Sequence, residues 1–555
     1  MDRSANEVEN LLPYAGRWVA CLGGRVVAQG GTPEQALQAA KASRFKESPQ
    51  IIFVPTERPL IFSPLLDQVS RAFPREIPVY LVGGAVRDAL LGRTTHDLDF
   101  ALPRDALNIG RHVAKQIDAA FFPLDEERDT ARLLLQQPDG QRVKIDISVF
   151  RGPNFESDLK GRDFTVNAMA IDIHQPQALL DPLGGLSDLR SKILRSCSST
   201  SLADDPLRIL LAIRIAAQYD FHIQKETRSQ MRIAVPLLPS VSAERIRDEL
   251  IRILEGRQPA TCLRALDMLG VLPYTLPELV ALKGIEQSSP HVLDVWNHTL
   301  AVVQKTESLL EVLHKEYDPD SAANLPLGLA VVRLGRYRQQ ISTHLDSAIS
   351  NERSMRGFLI LAALYHDIAK PQTLHTDEEG RVRFFGHEEI GAKIAMHRAQ
   401  ELRLSNPEVH RLGIIVRHHM RPKLLSQTKE PPSRSTIYRF FRDTGSAGID
   451  VCLLSLADFL ATYETTLDID AWEAHLNVVR VLMEAWWENP KESVAPPTLL
   501  TGDDLIIQLG LKPGPQVGNL LSAIREAQAT GQISSKAEAI NLARKIMDNP
   551  SKVEF

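Results

Sequence analysis

Asp97 and Asp99 are two residues apart in a run, Asp97-Leu-Asp-Phe-Ala-Leu102, whose pattern reads as a strand. Residues i and i+2 of a strand face the same way, so the two carboxylates project together, about 7 Å apart along the backbone. Like charges placed side by side are costly unless a cation lies between them. A pair of this kind suits Mg²⁺ and phosphoryl transfer, in which metal ions clamp the attacking and leaving oxygens. Fourteen residues before Asp97, a strand-like Val79–Val82 runs into Gly83-Gly84, with a helix expected from about Ala85. Paired glycines let backbone N–H groups approach an anion. In Lys144-Ile-Asp-Ile-Ser148 polar and apolar residues alternate, so Asp146 lies on one face of another strand and is a third candidate carboxylate.

Two further groups suit nucleotide recognition. Arg162-Asp163 offers a cation for a triphosphate and an acceptor for a ribose 2′-hydroxyl. Asp205 and Arg208 are three apart after Asp204, with Pro206 expected in a first helical turn capped by Asp204 or Asp205. On one helix face, an acceptor beside a forked donor could pair with cytosine or adenine and reject guanine and uracil.

A separate constellation spans residues 291–458. His298, the adjacent His366-Asp367 (followed by Ile-Ala-Lys370), His387, His418-His419 and Asp458 come from several expected helices. Imidazoles and carboxylates gathered in this way suit a divalent transition metal.

The elements that must position these groups follow from patterning. Trp18–Leu22 and Arg25–Ala28 flank Gly23-Gly24, a hairpin signal; Thr32-Pro33-Glu-Gln35 opens a helix; Gln50–Val54 reads as a third strand. Residues 1–56 are thus expected to form a small ββαβ module, a docking or stabilising appendage without chemistry of its own. A linker, 57–78, leads to an α/β head over 79–200, with strands Val79–Val82, Leu98–Leu102, Ala131–Gln136, Val143–Val149 and Ala168–Ile173. A helical neck (201–285), a helical body (286–487) and, beyond the Pro-containing stretch Glu488–Pro497, a tail (499–548) complete a multidomain α+β chain.

Composition bounds the partners. At 555 residues and 44% hydrophobic, the chain suits several folded domains rather than a disordered or collagen-like polymer. A net charge of −5 does not suit a protein that coats nucleic acid wholesale, so RNA contact would need local patches. Residues 190–257 carry a net charge of +4 and residues 405–443 a net charge of +5. The four cysteines are dispersed without a CxxC, which points to a reducing cytoplasm and away from a zinc ribbon. No apolar run is long enough to span a membrane, and the polar, acidic opening MDRSANEVEN does not resemble a secretory signal.

The segment Gly83-Gly-Ala-Val-Arg-Asp-Ala-Leu-Leu-Gly-Arg93, with Asp97 and Asp99, resembles the GGxVRDxLLGRxxxDxD motif of the tRNA nucleotidyltransferase/poly(A) polymerase family, in its branch of bacterial CCA-adding enzymes. The resemblance implies Asp97 and Asp99 as Mg²⁺ ligands, with Asp146 as the third catalytic carboxylate. Phe122–Arg132 resembles the family's mobile loop. Arg162–Ala168 resembles RRDFTINA, with Gly161 in place of the first arginine. Asp181–Leu189 resembles DPxxGxxDL. Asp204-Asp205-Pro-Leu-Arg208 resembles EDxxRxxR, with Asp204 for the Glu, Leu211 at the second arginine and Arg214 one turn later. Nucleotide binding is therefore expected from Gly83, Gly84, Arg87, Arg162, Asp163, Asn167, Asp205, Arg208 and Arg214. The tail resembles the C-terminal segment of the CCA-adding branch, which implies tRNA along neck, body and tail.

His298, His366, Asp367 and Asp458 resemble the HD phosphohydrolase signature, with His387 and His418 matching the extra ligands of two-metal members and His419 adjacent. This implies hydrolysis of a phosphate ester with a Mn, Ni or Fe-like ion. The expected activity is addition of C and A to tRNA 3′ ends from CTP and ATP, in the cytoplasm. Partial addition (CC only or A only), a poly(A) polymerase, and an HD phosphohydrolase with an RNA-binding head are the alternatives. Homo-oligomerisation is left open.

Overall fold

The structure, a computed structural model, describes residues 11–548 except 44–46, 56–61, 63, 94, 96, 138–141, 177, 318–323, 350–352 and 429. The readings for residues 1–10 and for most of 57–63 fall outside the described residues. The chain divides into two compact units, one ending at Val241 and the other beginning at Ser242. The boundary cuts through the expected neck.

In the first unit, β1 (Trp18–Leu22) and β2 (Arg25–Gly30) form an antiparallel hairpin, α1 (Pro33–Ala42) follows, and β3 (Gln50–Phe53) pairs on the other side of β1. Thr32 caps α1: its hydroxyl accepts from the Gln35 amide at 3.2 Å. The module is docked on the head. Trp18 Nε1 donates to the Leu179 carbonyl at 2.9 Å, and the Asp181 amide donates to Gly31 O at 2.7 Å. A Cβ on Gly31 would stand 1.7 Å from the Asp181 carbonyl oxygen, so only glycine permits this approach.

The head contains α2 (Pro64–Ala72), β4 (Tyr80–Val82), α3 (Gly84–Leu90), β5 (Asp97–Leu102), α4 (Ala106–Ile117), β6 (Ala120–Asp125), β7 (Thr130–Gln136), β8 (Arg142–Val149), α5 (Phe155–Lys160), β9 (Ala170–Asp172), β10 (Leu179–Leu180) and α6 (Gly185–Arg190). Its seven-stranded sheet runs β10-β9-β4-β5-β8-β7-β6, with β5 and β8 parallel and every other pair antiparallel. Alternation sets its two faces. Leu98, Phe100, Leu133, Ile145 and Ile147 are buried, and α4 packs on this side through Gly110, whose missing side chain admits Ala131. Asp97, Asp99 and Asp146 occupy the intervening positions.

Three expectations need correction here. Phe122–Arg132 is not a loop: it forms the β6–β7 hairpin, because Phe121 and Phe122 oppose Leu133 and Arg132 in register. The linker contributes α2, whose Leu65, Leu66 and Val69 are buried; the following Phe73 packs on Phe100 with ring centroids 4.9 Å apart. The neck is not wholly helical, since it contributes a strand that pairs with the end of the head. β11 (Ile193–Leu194) pairs with β12 (His222–Ile223) around α7 (Ser201–Asp204) and α8 (Arg208–Tyr219).

The second unit is built on helices, including Ala243–Glu255, Val295–Val312, Met355–Tyr365, His387–Glu401, Asn406–His418 and Ala447–Tyr463, with a small hairpin pairing Leu374–Thr376 to Val382–Phe384. The helix Ala447–Tyr463 is buried along almost its whole length, which explains its nearly continuous apolar sequence. Three tail helices close a small core of their own around Leu505, Leu520, Ile524 and Ala543. Among the described residues, no single helix is long and apolar enough to cross a membrane.

Candidate active site and metal centre

Strand register assembles the head site. Val82, the last residue of β4, is opposite Asp99; Asp99 is opposite Asp146 on β8; Asp146 is opposite Arg132 on β7. The three carboxylates expected from sequence thus share one face of neighbouring strands. Burial, and then the charge of Asp146, raises the pKa of Asp99, the penalty expected when anions are packed together without a counter-cation. Arg132 relieves part of it, donating to both Asp146 oxygens at 2.7 and 2.8 Å. Lys144 Nζ lies 3.6 Å from Asp146.

Gly83 makes the turn from β4 into α3 with φ of +78°, and a Cβ there would stand 3.2 Å from Asp99 Oδ2. Glycine is needed for both reasons. Arg162 flanks the same turn, with Nη1 3.9 Å from that Cβ position. It is held by Asp158, which accepts at 2.9 and 3.1 Å and is itself buried.

Arg87 and Asn167 are placed behind the site. The nearly buried guanidinium of Arg87 donates to Asn167 Oδ1 at 2.6 Å and to the Tyr219 hydroxyl at 2.7 Å. Asn167 donates in turn to both oxygens of Asp163 at 3.3 Å, and Tyr219 donates to Asp88 at 2.8 Å. Tyr219, which no motif marks, therefore ties the end of α8 to the turn that holds Asp163.

The Asp205–Arg208 pair does not share a helix as expected. Asp205 lies between α7 and α8, and α8 begins only at Arg208, because Pro206 and Leu207 form a separate turn. Arg208 Nη1 donates to Ser201 O at 2.9 Å and Arg162 O at 3.1 Å, and Nη2 donates to Gly161 O at 2.9 Å. Asp205 Oδ1 accepts from the Leu207 amide at 3.3 Å. Arg214 lies farther along α8, near Gln218 at 3.5 Å.

The second unit brings His298, His366, Asp367, His387 and Asp458 together, all buried. It corrects one ligand. His419, not His418, joins them: the helix Asn406–His418 ends there, and one residue of helix turns a side chain by about 100°. His298, His366 and Asp367 form one potential metal-binding group; Asp367, His387 and His419 form another.

The donor set fits a cation. His366, His387 and His419 each point Nδ1 at the backbone carbonyl three residues earlier, at 2.8, 2.7 and 2.7 Å. A carbonyl only accepts, so Nδ1 carries the proton and leaves the Nε2 lone pair for a metal. Among the described residues, Nε2 of all three, and of His298, is buried without a well-aligned hydrogen bond, and carboxylate oxygens of Asp458 and Asp367 stand 3.0 Å from that of His298 and 3.1 Å from that of His366, as ligands sharing an ion would. Burial lowers the pKa of His298 and pushes His419 down to about 3, keeping both in the neutral, ligating form. Burial also opposes the charge on His366, but Asp367 beside it outweighs that and raises its pKa.

A cavity of about 250 Å³ opens over this cluster, lined by Asp367, His387 and Asp458 and by His291, Lys370, Arg383 and Lys423. Lys370 Nζ lies 2.6 Å from Asp367, and Lys423 Nζ lies 3.6 Å from Asp458. Burial, and then the charge of Lys370, push His291 down to about 3, so it lines the cavity as a neutral imidazole, and the three cations Lys370, Arg383 and Lys423 over a metal-ligating floor suit a phosphate ester. Of these, Lys370 follows the His366-Asp367 pair in sequence, whereas no motif marks His291, Arg383 or Lys423.

A mixed sheet with carboxylates in register, followed by helices that gather an HD cluster, defines a nucleotidyltransferase joined to an HD domain. Residues 79–195 match the poly A polymerase head domain, 220–282 the probable RNA and SrmB-binding site of polymerase A, 295–462 the HD domain, and 11–57 a family of unknown function, DUF5678. An A-adding tRNA nucleotidyltransferase of Deinococcus radiodurans is 33% identical, over 83% of this chain and 93% of that protein. A CC-adding tRNA nucleotidyltransferase of Thermus thermophilus is 32% identical, over 84% and 94%. In fold the chain is similar to a CCA-adding enzyme in apo form, with a TM-score of 0.54 at 20% identity, over 88% of this chain and 95% of that one. The chain belongs to the tRNA nucleotidyltransferase/poly(A) polymerase family.

Proposed function

We propose that this enzyme adds C and then A to the 3′ ends of tRNA without a nucleic-acid template, taking CTP and ATP as substrates. The observation that carries the reading is the in-register set Asp97, Asp99 and Asp146 beside Gly83 and Arg162, on a chain whose near-full-length relatives are named as adding CC or A to tRNA. In this reading the 3′-hydroxyl of the RNA attacks the α-phosphate and pyrophosphate leaves. Asp97 and Asp99 would hold Mg²⁺, which would supply positive charge against the reacting phosphate. Arg162 faces the triphosphate, and Asp163, steadied by Asn167, accepts the ribose 2′-hydroxyl. Asp205 and Arg208 read the base, which requires Arg208 to exchange a carbonyl for a base edge. Basic residues of 190–257 and 405–443 meet tRNA phosphates, and the setting is the cytoplasm.

The HD cluster is proposed to hydrolyse a phosphate ester, a 3′-terminal or 2′,3′-cyclic phosphate on tRNA being the substrate that links it to end repair. A divalent ion of the Mn, Ni or Fe kind would be held by His298, His366, Asp367, His387, His419 and Asp458 and supplies the charge that promotes ionisation of water. Lys370, Lys423 and Arg383 bind the phosphate.

Extension of a tRNA transcript lacking its 3′ end by CTP and ATP, but not by GTP or UTP, tests the first activity; no extension with Mg²⁺ overturns it. Release of phosphate, or opening of a cyclic end, by Asp97→Ala protein tests the second; inertness with every one of these metals overturns it.

A further inference from the structure

We infer that Arg151 binds the triphosphate, supplying the cation that Gly161 cannot; this rests on the nucleotidyltransferase reading. Gly161 follows α5 in right-handed helical geometry, with φ of −78°. Three guanidinia surround it. Arg208 Nη2 donates to its carbonyl at 2.9 Å, Arg151 Nη1 donates to the same carbonyl at 3.4 Å, and Arg162 is the next residue. The position a Cβ would take on Gly161 is 3.8 Å from Cβ of Arg151. A side chain at 161 would therefore start beside that of Arg151.

The three cations are not fully neutralised. Asp158 is committed to Arg162 and to the backbone amide of Arg151, and Asp163 is the other acid acting on Arg151. Arg151 has the most donors to spare. Among the described residues its guanidinium, which carries five N–H groups, makes one long hydrogen bond, and the residue reaches solvent. Arg162 and Arg208, by contrast, are tied to Asp158 and to carbonyls. Burial, and then the charge of Arg162, lower the pKa of Arg151, with Asp158 and Asp163 offsetting part of the effect. Arg162 continues this positive ground to Gly83, 3.9 Å from where its Cβ would stand, and so to Asp99. A polyphosphate reacting at Asp97 and Asp99 would extend its far end over this ground.

The test compares wild type, Arg151→Gln, Arg151→Lys and the double variant Arg151→Gln/Gly161→Arg. Calorimetry measures binding of CTP and of inorganic pyrophosphate, with nucleotide addition assayed in parallel. The right-handed backbone at 161, and distances of 3.5 Å or more from a Cβ to its neighbours, allow the new side chain. Arg151→Gln should weaken both ligands about tenfold and raise KM for CTP with little change in kcat. Arg151→Lys should lose less, and the double variant should regain most of the loss. Unchanged pyrophosphate affinity in a folded Arg151→Gln protein overturns the assignment. If wild type binds pyrophosphate in an Arg151-dependent way but extends no RNA, the enzymatic reading fails and the anion site stands.

Discussion

Asp99 bears the cost of the head site. Its folded-state pKa is raised by burial and by Asp146, so the folded protein holds that proton more tightly than the unfolded chain does. Stability is therefore lost as pH rises from the usual carboxylate range through the raised value. Without added metal at pH 7, Asp99→Asn should melt higher than wild type, on the order of 2 °C, while its nucleotide addition falls to background. The melting difference should shrink near pH 4; a variant that melts lower than wild type at pH 7 would contradict the assignment. In the HD cluster, His419→Ala should weaken metal retention by about 100-fold or more in a competition assay against a chelator, while His418→Ala should retain it. The residue types of both sites were legible because chemistry restricts them to Asp, His and Arg. The choice between His418 and His419 was not: adjacent residues differ by a single step of helical rotation, which only the packing of the helix Asn406–His418 resolves.

At the scale of elements, α8 is clamped at both ends, through Arg208 to the carbonyls of Gly161 and Arg162 and through Tyr219 to Arg87 and Asp88. Tyr219→Phe removes the hydroxyl but keeps the ring, over which Arg87 lies at 4.4 Å. It should raise KM for CTP and ATP several-fold and lower discrimination against dCTP, since Asn167 and Asp163 lie on the same network. Unchanged selectivity for ribose over deoxyribose would sever that link. Gly31→Val should destabilise the first unit by about 2–3 kcal/mol in denaturant, because the module and the turn at Asp181 cannot both keep their places. Strands β5, β7 and β8 were readable because polar and apolar residues alternate along them. β6 was not, because Phe122-Pro-Leu-Asp125 lacks that alternation and matched a family loop instead. The late start of α8 was hidden because Pro206 suits a helix's first turn as well as the separate turn it occupies.

Over the whole molecule, two sites with separate carboxylates lie in two separate compact units. Their chemistries should therefore part cleanly. Asp97→Ala should abolish nucleotide addition and spare phosphate hydrolysis, and Asp367→Ala the reverse; loss of both activities in either variant would contradict two independent centres. The mild overall acidity, which argued against wholesale RNA coating, says nothing about either site: charge averages over a surface, whereas recognition is local. The most direct measurement gives the purified protein tRNA transcripts ending at the discriminator base, at C and at CC, with CTP and ATP supplied singly and together, and reads product length. The expected result is two additions from CTP alone on the first transcript, one on the second, a single A from ATP on the third, and a complete CCA end when both are present. Absence of extension on every transcript, or extension by only one of the two nucleotides, would contradict the proposed activity.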